Sequence, residues 1–199
     1  YHSGMVNNSY ATGSVSGFYA VGGLAGQNYA TVSNSYATGS VSGIYNAGGL
    51  VGYNVGGTVD SSYATGSVNG TNYAGGLVGA NYSGTVSYSY ATGSVSGSAL
   101  VGGLVGVNTG TISNSYWNTT TSGQSTSAGG TGLTTAQMQT ASNFTGFTFT
   151  STPGASGNNW VIVDADGTLN NASGAAGATF PMLASEYSTT INNAHQLQL

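Results

Sequence analysis

The sequence contains no lysine, no arginine and no cysteine, and only four acidic residues among 199. Each absence closes a class of function. Without cations the chain cannot neutralise phosphates, which excludes nucleic-acid binding by counterion release and attraction to anionic lipid through basic segments. Without cysteine there is no disulfide, no zinc–thiolate site and no thiol nucleophile. No run approaches 18 consecutive apolar residues, so no segment reads as a membrane-spanning helix. The acids are Asp60, Asp164, Asp166 and Glu186, giving a net charge of −4.

What remains is rich in Gly, Ser, Thr and Asn, with 35 glycines. Low-charge chains of that kind are often disordered. Here 39% of residues are hydrophobic and 14 are Tyr, too much apolar and aromatic content for a solvated linker. The chain opens at Tyr1 with neither Met nor a signal peptide, which reads as a fragment or a processed piece.

Self-similarity dominates the first 117 residues. A block beginning Ser-Tyr recurs at Ser9, Ser35, Ser62, Ser89 and Ser115, at intervals of 26, 27, 27 and 26 residues. Four copies read SYATGSV and the fifth breaks off as SYWNTT. Between them lies GGLxGxN, beginning at Gly22-Gly23, Gly48-Gly49, Gly75-Gly76 and Gly102-Gly103. The length varies at one place only, just after the Asn, which marks a surface turn.

The residues are β-branched, aromatic or small, punctuated by Gly and Asn, and no long segment has a helical apolar period. A period near 27 residues suits one coil of a parallel β-helix, with about three short strands and three corners per coil. Coils stack at about 4.8 Å, and each needs its neighbours to bury its inner face. Comparing the copies predicts facing. Leu24, Leu50, Leu77 and Leu104 are invariant and read as interior, as do Val15, Val41, Val68 and Val95. Gln27, Tyr53, Ala80 and Val107 vary freely and read as solvent-facing. The fixed Val32, Ser35 and Ala37 have mixed parity, which implies a bulge or corner between them and leaves the facing of Tyr36 open.

In-register stacking lines up like residues. Tyr10, Tyr36, Tyr63, Tyr90 and Tyr116 form an aromatic column, and Asn28, Asn54, Asn81 and Asn108 an amide ladder. Asn also tolerates the left-handed backbone of a tight corner. A charged column would repel itself, one physical reason for the missing Lys and Arg.

The blocks GGLVGxN and GTVSNSYATGSVSG resemble the GLUG motif, found in large bacterial surface proteins of the filamentous haemagglutinin type and related adhesins. The resemblance covers roughly residues 5–117. GLTTAQMQTASNF and the stretch from NNWVIVDADGTLNN onward resemble the region downstream of the repeats in that family. The resemblance implies an exported or cell-surface passenger with a β-helical stalk, used in adhesion or biofilm formation.

The organisation expected is therefore all-β. A right-handed parallel β-helix of four to five coils occupies 1–117, a Ser/Thr/Gly linker 118–132, and a mixed segment 133–199 caps the coil end or leads into a next unit. Thr134 and Gln137 have capping-box spacing ahead of a short helix over about Thr135–Ser142. Phe144, Phe147 and Phe149 suggest a half-buried strand, Trp160 to Val163 another, and Phe180 to Leu183 a short terminal one. The last residues, 192–199, stop mid-pattern, as if the chain continued.

Candidate chemistry is sparse. Glycoside hydrolysis needs two carboxylates facing each other across a substrate, and the repeats hold only Asp60, which reads as a surface substitution. Asp164-Ala-Asp166-Gly167 begins like a calcium loop but has no further ligands at the right spacing, so it reads as a turn with Gly167 at positive φ. His2 and His195 have no acidic neighbour in sequence. No catalytic, metal or cofactor site is assigned. The candidate rim for a ligand or partner is the variable corner before each Gly-Gly, comprising Phe18, Tyr19, Ile44, Tyr45, Tyr73 and Leu100.

The leading expectation is a non-enzymatic structural and adhesive module, secreted or on the bacterial surface. Its partners would be surface glycans, proteins or further copies of itself. An alternative is an ice-binding or surface-templating solenoid built on Thr12, Thr38, Thr65 and Thr92 beside Ser14, Ser40, Ser67 and Ser94. A β-helical carbohydrase is disfavoured by the missing acid pairs.

Overall fold

The structure is a computed structural model describing residues 4–157 and 159–190. It divides into two compact units, Tyr1–Leu133 and Thr134–Leu199. His2, His195 and the pattern break at 192–199 lie outside the described residues.

The first unit is a parallel β-solenoid of about four coils. Each coil has five short strands rather than three. In the third coil they are Thr58–Asp60, Tyr63–Ala64, Val68–Gly70, Tyr73–Gly75 and Val78–Tyr82. Equivalent strands of successive coils pair in parallel, building five separate sheets. Register matches residue type to residue type, as in Val6↔Val32, Val32↔Val59, Val59↔Val86 and Val86↔Ile112.

The strands are short because two backbone devices interrupt them. Asn8, Asn34, Ser61, Tyr88 and Asn114 have left-handed backbone, with φ between 42° and 49°. This column is the corner that the mixed parity of Val32, Ser35 and Ala37 demanded. The ladder residues Asn28, Asn54, Asn81 and Asn108 instead lie in strands and have no positive φ, so they do not supply a left-handed corner. The second device is the surface turn after the Asn, where Gly56 (φ 63°) and Ser83 (φ 54°) are exposed and left-handed in the two coils that carry an extra residue.

Two hydrophobic clusters fill the coils. The larger contains Leu50, Leu77 and Leu104 with Val51, Val59, Val78, Val86, Val105 and the alanines Ala37, Ala64 and Ala91. The smaller contains Val21, Val41, Val68 and Val95 with Ala47 and Ala74. The invariant Leu and Val are therefore interior, with Leu24 and Val15 of the first coil only partly covered. The freely varying position is less open than expected: Gln27, Tyr53 and Val107 are half-buried, and Ala80 is fully buried.

Glycines let the fourth strand of one coil lie against the fifth strand of the next. A Cβ on Gly79 would sit within 2.9 Å of Ala47 backbone atoms, and one on Gly52 within 2.8 Å of Ala20 and Val21 backbone. A Cβ on Gly49 would strike Ala64 Cβ and the Gly76 carbonyl. The GGLxGxN block is thus a packing requirement, since any side chain would push backbones apart.

Residues 118–132, whose composition reads as a linker, are ordered against the last coil. Asn118 Oδ1 caps α1 (Thr119–Ser122) by accepting from the N–H of Thr120 and Thr121. Ser127 Oγ accepts from the N–H of Leu104 and Val105 at 3.2 and 2.9 Å. The strand Thr131–Leu133 pairs with Tyr116–Asn118. Trp117 takes the place that Ala91 holds one coil earlier and closes the apolar interior, its Nε1 donating to the Gln124 carbonyl at 3.1 Å. Polar side chains suit this task because an open sheet edge presents unpaired backbone groups rather than apolar surface.

The second unit begins with the expected capping box. Thr134 Oγ1 accepts from Gln137 N–H, and Gln137 Oε1 accepts from Thr134 N–H at 2.8 Å. The helix, α2, is only Thr135–Met138, and a separate 3-10 turn follows at Ala141–Asn143. Strand Thr148–Phe149 pairs in parallel with Asn159–Val161, which pairs antiparallel with Met182–Leu183. Phe144, Phe147 and Phe149 do not share one strand. Their rings instead gather in one cluster, with Phe147 4.7 Å from Trp160.

Candidate functional site

Three side-chain columns stitch the coils together. In the first, Asn28 Nδ2 donates to Asn54 Oδ1 at 2.7 Å, Asn54 to Asn81 at 2.7 Å, and Asn81 to Asn108 at 2.8 Å. Asn28, Asn54 and Asn81 are fully buried. Their remaining amide protons go to the carbonyls of the adjoining turn, as from Asn54 to Gly57 at 3.0 Å. In low dielectric such a satisfied column is stabilising, and an interrupted one is costly.

The second column is aromatic. Tyr10, Tyr36, Tyr63 and Tyr90 stack with centroids 5.3, 5.0 and 5.1 Å apart and interplanar angles of 8° or less. Tyr36, Tyr63, Tyr90 and Tyr116 are buried, whereas Tyr10 is exposed. After Tyr36, Tyr63 and Tyr90 the following Ala enters the larger interior cluster, as Trp117 does after Tyr116, so strand alternation sends the Tyr to the opposite face.

The third column is the Ser of each SYATG block, whose role the sequence did not reveal. Ser35 Oγ accepts the N–H of Ser9, Ser62 Oγ that of Ser35, and Ser89 Oγ that of Ser62, each at 3.1 Å. The same hydroxyls donate at 2.7 Å to the carbonyls of Ser33, Asp60 and Ser87. Each Ser thus satisfies backbone groups that the left-handed corner takes out of the sheet. Only its invariance across five copies could have signalled this.

The carboxylates are held by nearby donors. Asp60 accepts from the hydroxyls of Ser61 and Ser87. Buried Asp164 accepts from Thr168 Oγ1, Asn171 N–H and Asn171 Nδ2. Ser173 Oγ and the hydroxyl and N–H of Thr168 hold Asp166 well below its ordinary value, at about 2. Gly167 has φ of 81° and donates to the Asp164 carbonyl at 3.0 Å, the turn read from the sequence. Among the described residues no three His, Cys, Asp or Glu gather into a potential metal site, and no helix is long and apolar enough to cross a membrane.

The outer surface carries two further features. Serine columns cover the third sheet, where Ser14, Ser40, Ser67 and Ser94 and then Ser16, Ser42, Asn69 and Ser96 are exposed. The Thr column expected beside the first of these is progressively covered along the stack, with Thr12 exposed, Thr38 and Thr65 half-buried and Thr92 buried under the segment that carries Thr121. The other feature is the corner between the third and fourth strands. There Tyr19 and Tyr45 stack at 4.9 Å, and Phe18 meets both edge-on at 5.4 Å. Ile44 is exposed on the same corner. Tyr73 stands apart as a half-buried member of the fourth strand, in register with Asn46. Leu100 is exposed on left-handed backbone.

Comparison with curated proteins and with solved structures returns no match. Comparison with family models matches the GLUG motif three times in succession, at residues 19–42, 43–69 and 70–96. Each match spans close to one coil, so the motif's unit and the solenoid's unit coincide. Residues 19–96 are a GLUG repeat region, folded as successive coils of a parallel β-solenoid.

Proposed function

We propose that this chain is a non-catalytic adhesive region of a secreted or bacterial cell-surface protein, serving in cell adhesion or biofilm formation. The observation that carries the reading is the unbroken, in-register stack of laddered side chains. Backbone bonds between coils and the buried Asn and Tyr columns make a stiff body. Its outward positions are free to vary, and many weak contacts on a repeating surface add by multivalency. The chain's charge of −4 without cations suits a neutral or polar counter-surface. A surface-templating role has weaker support, because Thr12 alone of the four column threonines is exposed.

The test uses the full chain displayed at high density on beads and exposed to bacterial cells, host cells, glycan arrays and beads carrying the same chain. Retention on at least one supports the proposal. Binding to none of them at any density overturns it, and release of reducing ends from a polysaccharide would replace it with an enzymatic role.

A further inference from the structure

We infer that the aromatic corner of the first two coils is a binding site for a neutral polysaccharide, taken by stacking of pyranose rings on Phe18, Tyr19 and Tyr45. The inference rests on the adhesive reading above and names its ligand class.

The fold does not need rings here. In the next two coils the places of Phe18-Tyr19 and Ile44-Tyr45 are held by Thr71-Asn72 and Ser98-Ala99. The corner backbone still bonds coil to coil, from Thr71 N–H to Gly43 at 3.1 Å and from Ser98 N–H to Thr71 at 3.2 Å. Phe18 and Tyr19 gain little by burial, being 56% and 66% exposed, and Tyr45 at 36% still keeps part of its surface open. Clustered exposed aromatics that packing does not require mark a surface that something else covers.

The local chemistry selects the occupant. Tyr45 N–H donates to Phe18 and Asn46 N–H to Tyr19, at 3.1 and 3.0 Å, so a laddered backbone holds the rings in place before any ligand arrives. Pre-ordered rings lose little freedom on binding. Beside Tyr19 lies a cleft of about 510 Å³ that includes Gln27. The exposed hydroxyls of Ser16 and Ser42 lead into the corner along the third strands. Apolar ring faces flanked by uncharged hydroxyl and amide groups complement a pyranose, which has an apolar C–H face and a neutral hydroxyl rim. An acidic polysaccharide would find no Lys or Arg anywhere on the chain.

The experiment compares the full chain with the double variant Tyr19→Ala/Tyr45→Ala on insoluble cellulose, chitin, β-1,3-glucan and mannan, by depletion from solution. Wild type should bind at least one of them. The alanine variant should lose roughly ten-fold or more in affinity while still unfolding cooperatively, and Tyr19→Phe/Tyr45→Phe should keep its binding. The inference is overturned if no neutral polysaccharide binds or if the alanine variant binds equally well. It is also overturned if sedimentation shows that the rings drive self-association instead. Adhesion to cells that survives in the alanine variant removes this site while leaving the adhesive reading in place.

Discussion

Asn54 and Asn81 stand 27 residues apart in sequence, yet the Nδ2 of the first donates to the Oδ1 of the second at 2.7 Å with neither residue exposed. The same Asn54 also accepts from Asn28 and donates to Gly57. One amide therefore ties three coils and a turn. Asn54→Ala should leave several of these buried groups unsatisfied and cost about 2–4 kcal/mol. The partly exposed Asn108→Ala should cost clearly less. Urea midpoints of the two variants measure the difference, and equal shifts would show that the ladder adds nothing beyond local turn bonding.

The Gly-Gly pair predicts a steep steric penalty. A methyl on Gly49 would meet Ala64 Cβ at 2.8 Å and the Gly76 carbonyl, whereas one on Gly13 would meet nothing. Gly49→Ala should cost about 3 kcal/mol or more by forcing coils apart. Gly13→Ala should be close to neutral. Comparable melting temperatures for the two variants would refute the packing account.

Tyr88 occupies the left-handed corner column with φ of 46°, where other coils place Asn8, Asn34 and Asn114. A Tyr gains no local hydrogen bond that would offset this conformation, and Asn tolerates it. Tyr88→Asn should stabilise the solenoid by about 1 kcal/mol, and Tyr88→Val should destabilise it. Chemical denaturation checks both signs.

Asp166 gives a pH signature to the second unit. Its folded-state pKa lies at about 2 instead of 3.8, because Ser173 and Thr168 donate to the charged carboxylate. The stabilisation is therefore present above the unfolded value of 3.8 and is lost as pH falls towards 2. Ser173→Ala removes the largest contribution and should raise the pKa towards 3.8. A carboxyl NMR titration reads this directly. An Asp166 midpoint near 3.8 in the wild-type chain would contradict the hydrogen-bonded turn.

Much of the first unit was legible in the repeats. Invariant Leu and Val marked the interior, and the one-residue length change after Asn54 and Asn81 marked a turn that Gly56 and Ser83 form with left-handed backbone. The columns of Tyr and Asn followed from period alone. Less legible were Ser35 and its counterparts. A small polar residue has no periodic apolar signal, and its hydroxyl acts on backbone groups 26 or 27 residues away. The stretch 118–132 was hidden by composition, since the Ser, Thr and Gln residues that satisfy a sheet edge are also those of a flexible linker. In the second unit the capping box was readable because it is local, but the meeting of Phe147 with Trp160 was not.

By itself, then, the sequence determined that identical units stack in register. A pattern repeated at constant period, with no unit able to bury its own inner face, has few other ways to hide its apolar residues. Only the tertiary structure decided that each coil breaks into five strands, that glycines bring the fourth strand of one coil against the fifth of the next, and that Phe18, Tyr19 and Tyr45 converge on one corner. These outcomes depend on which backbones meet across coils, a distance that no neighbour in sequence encodes.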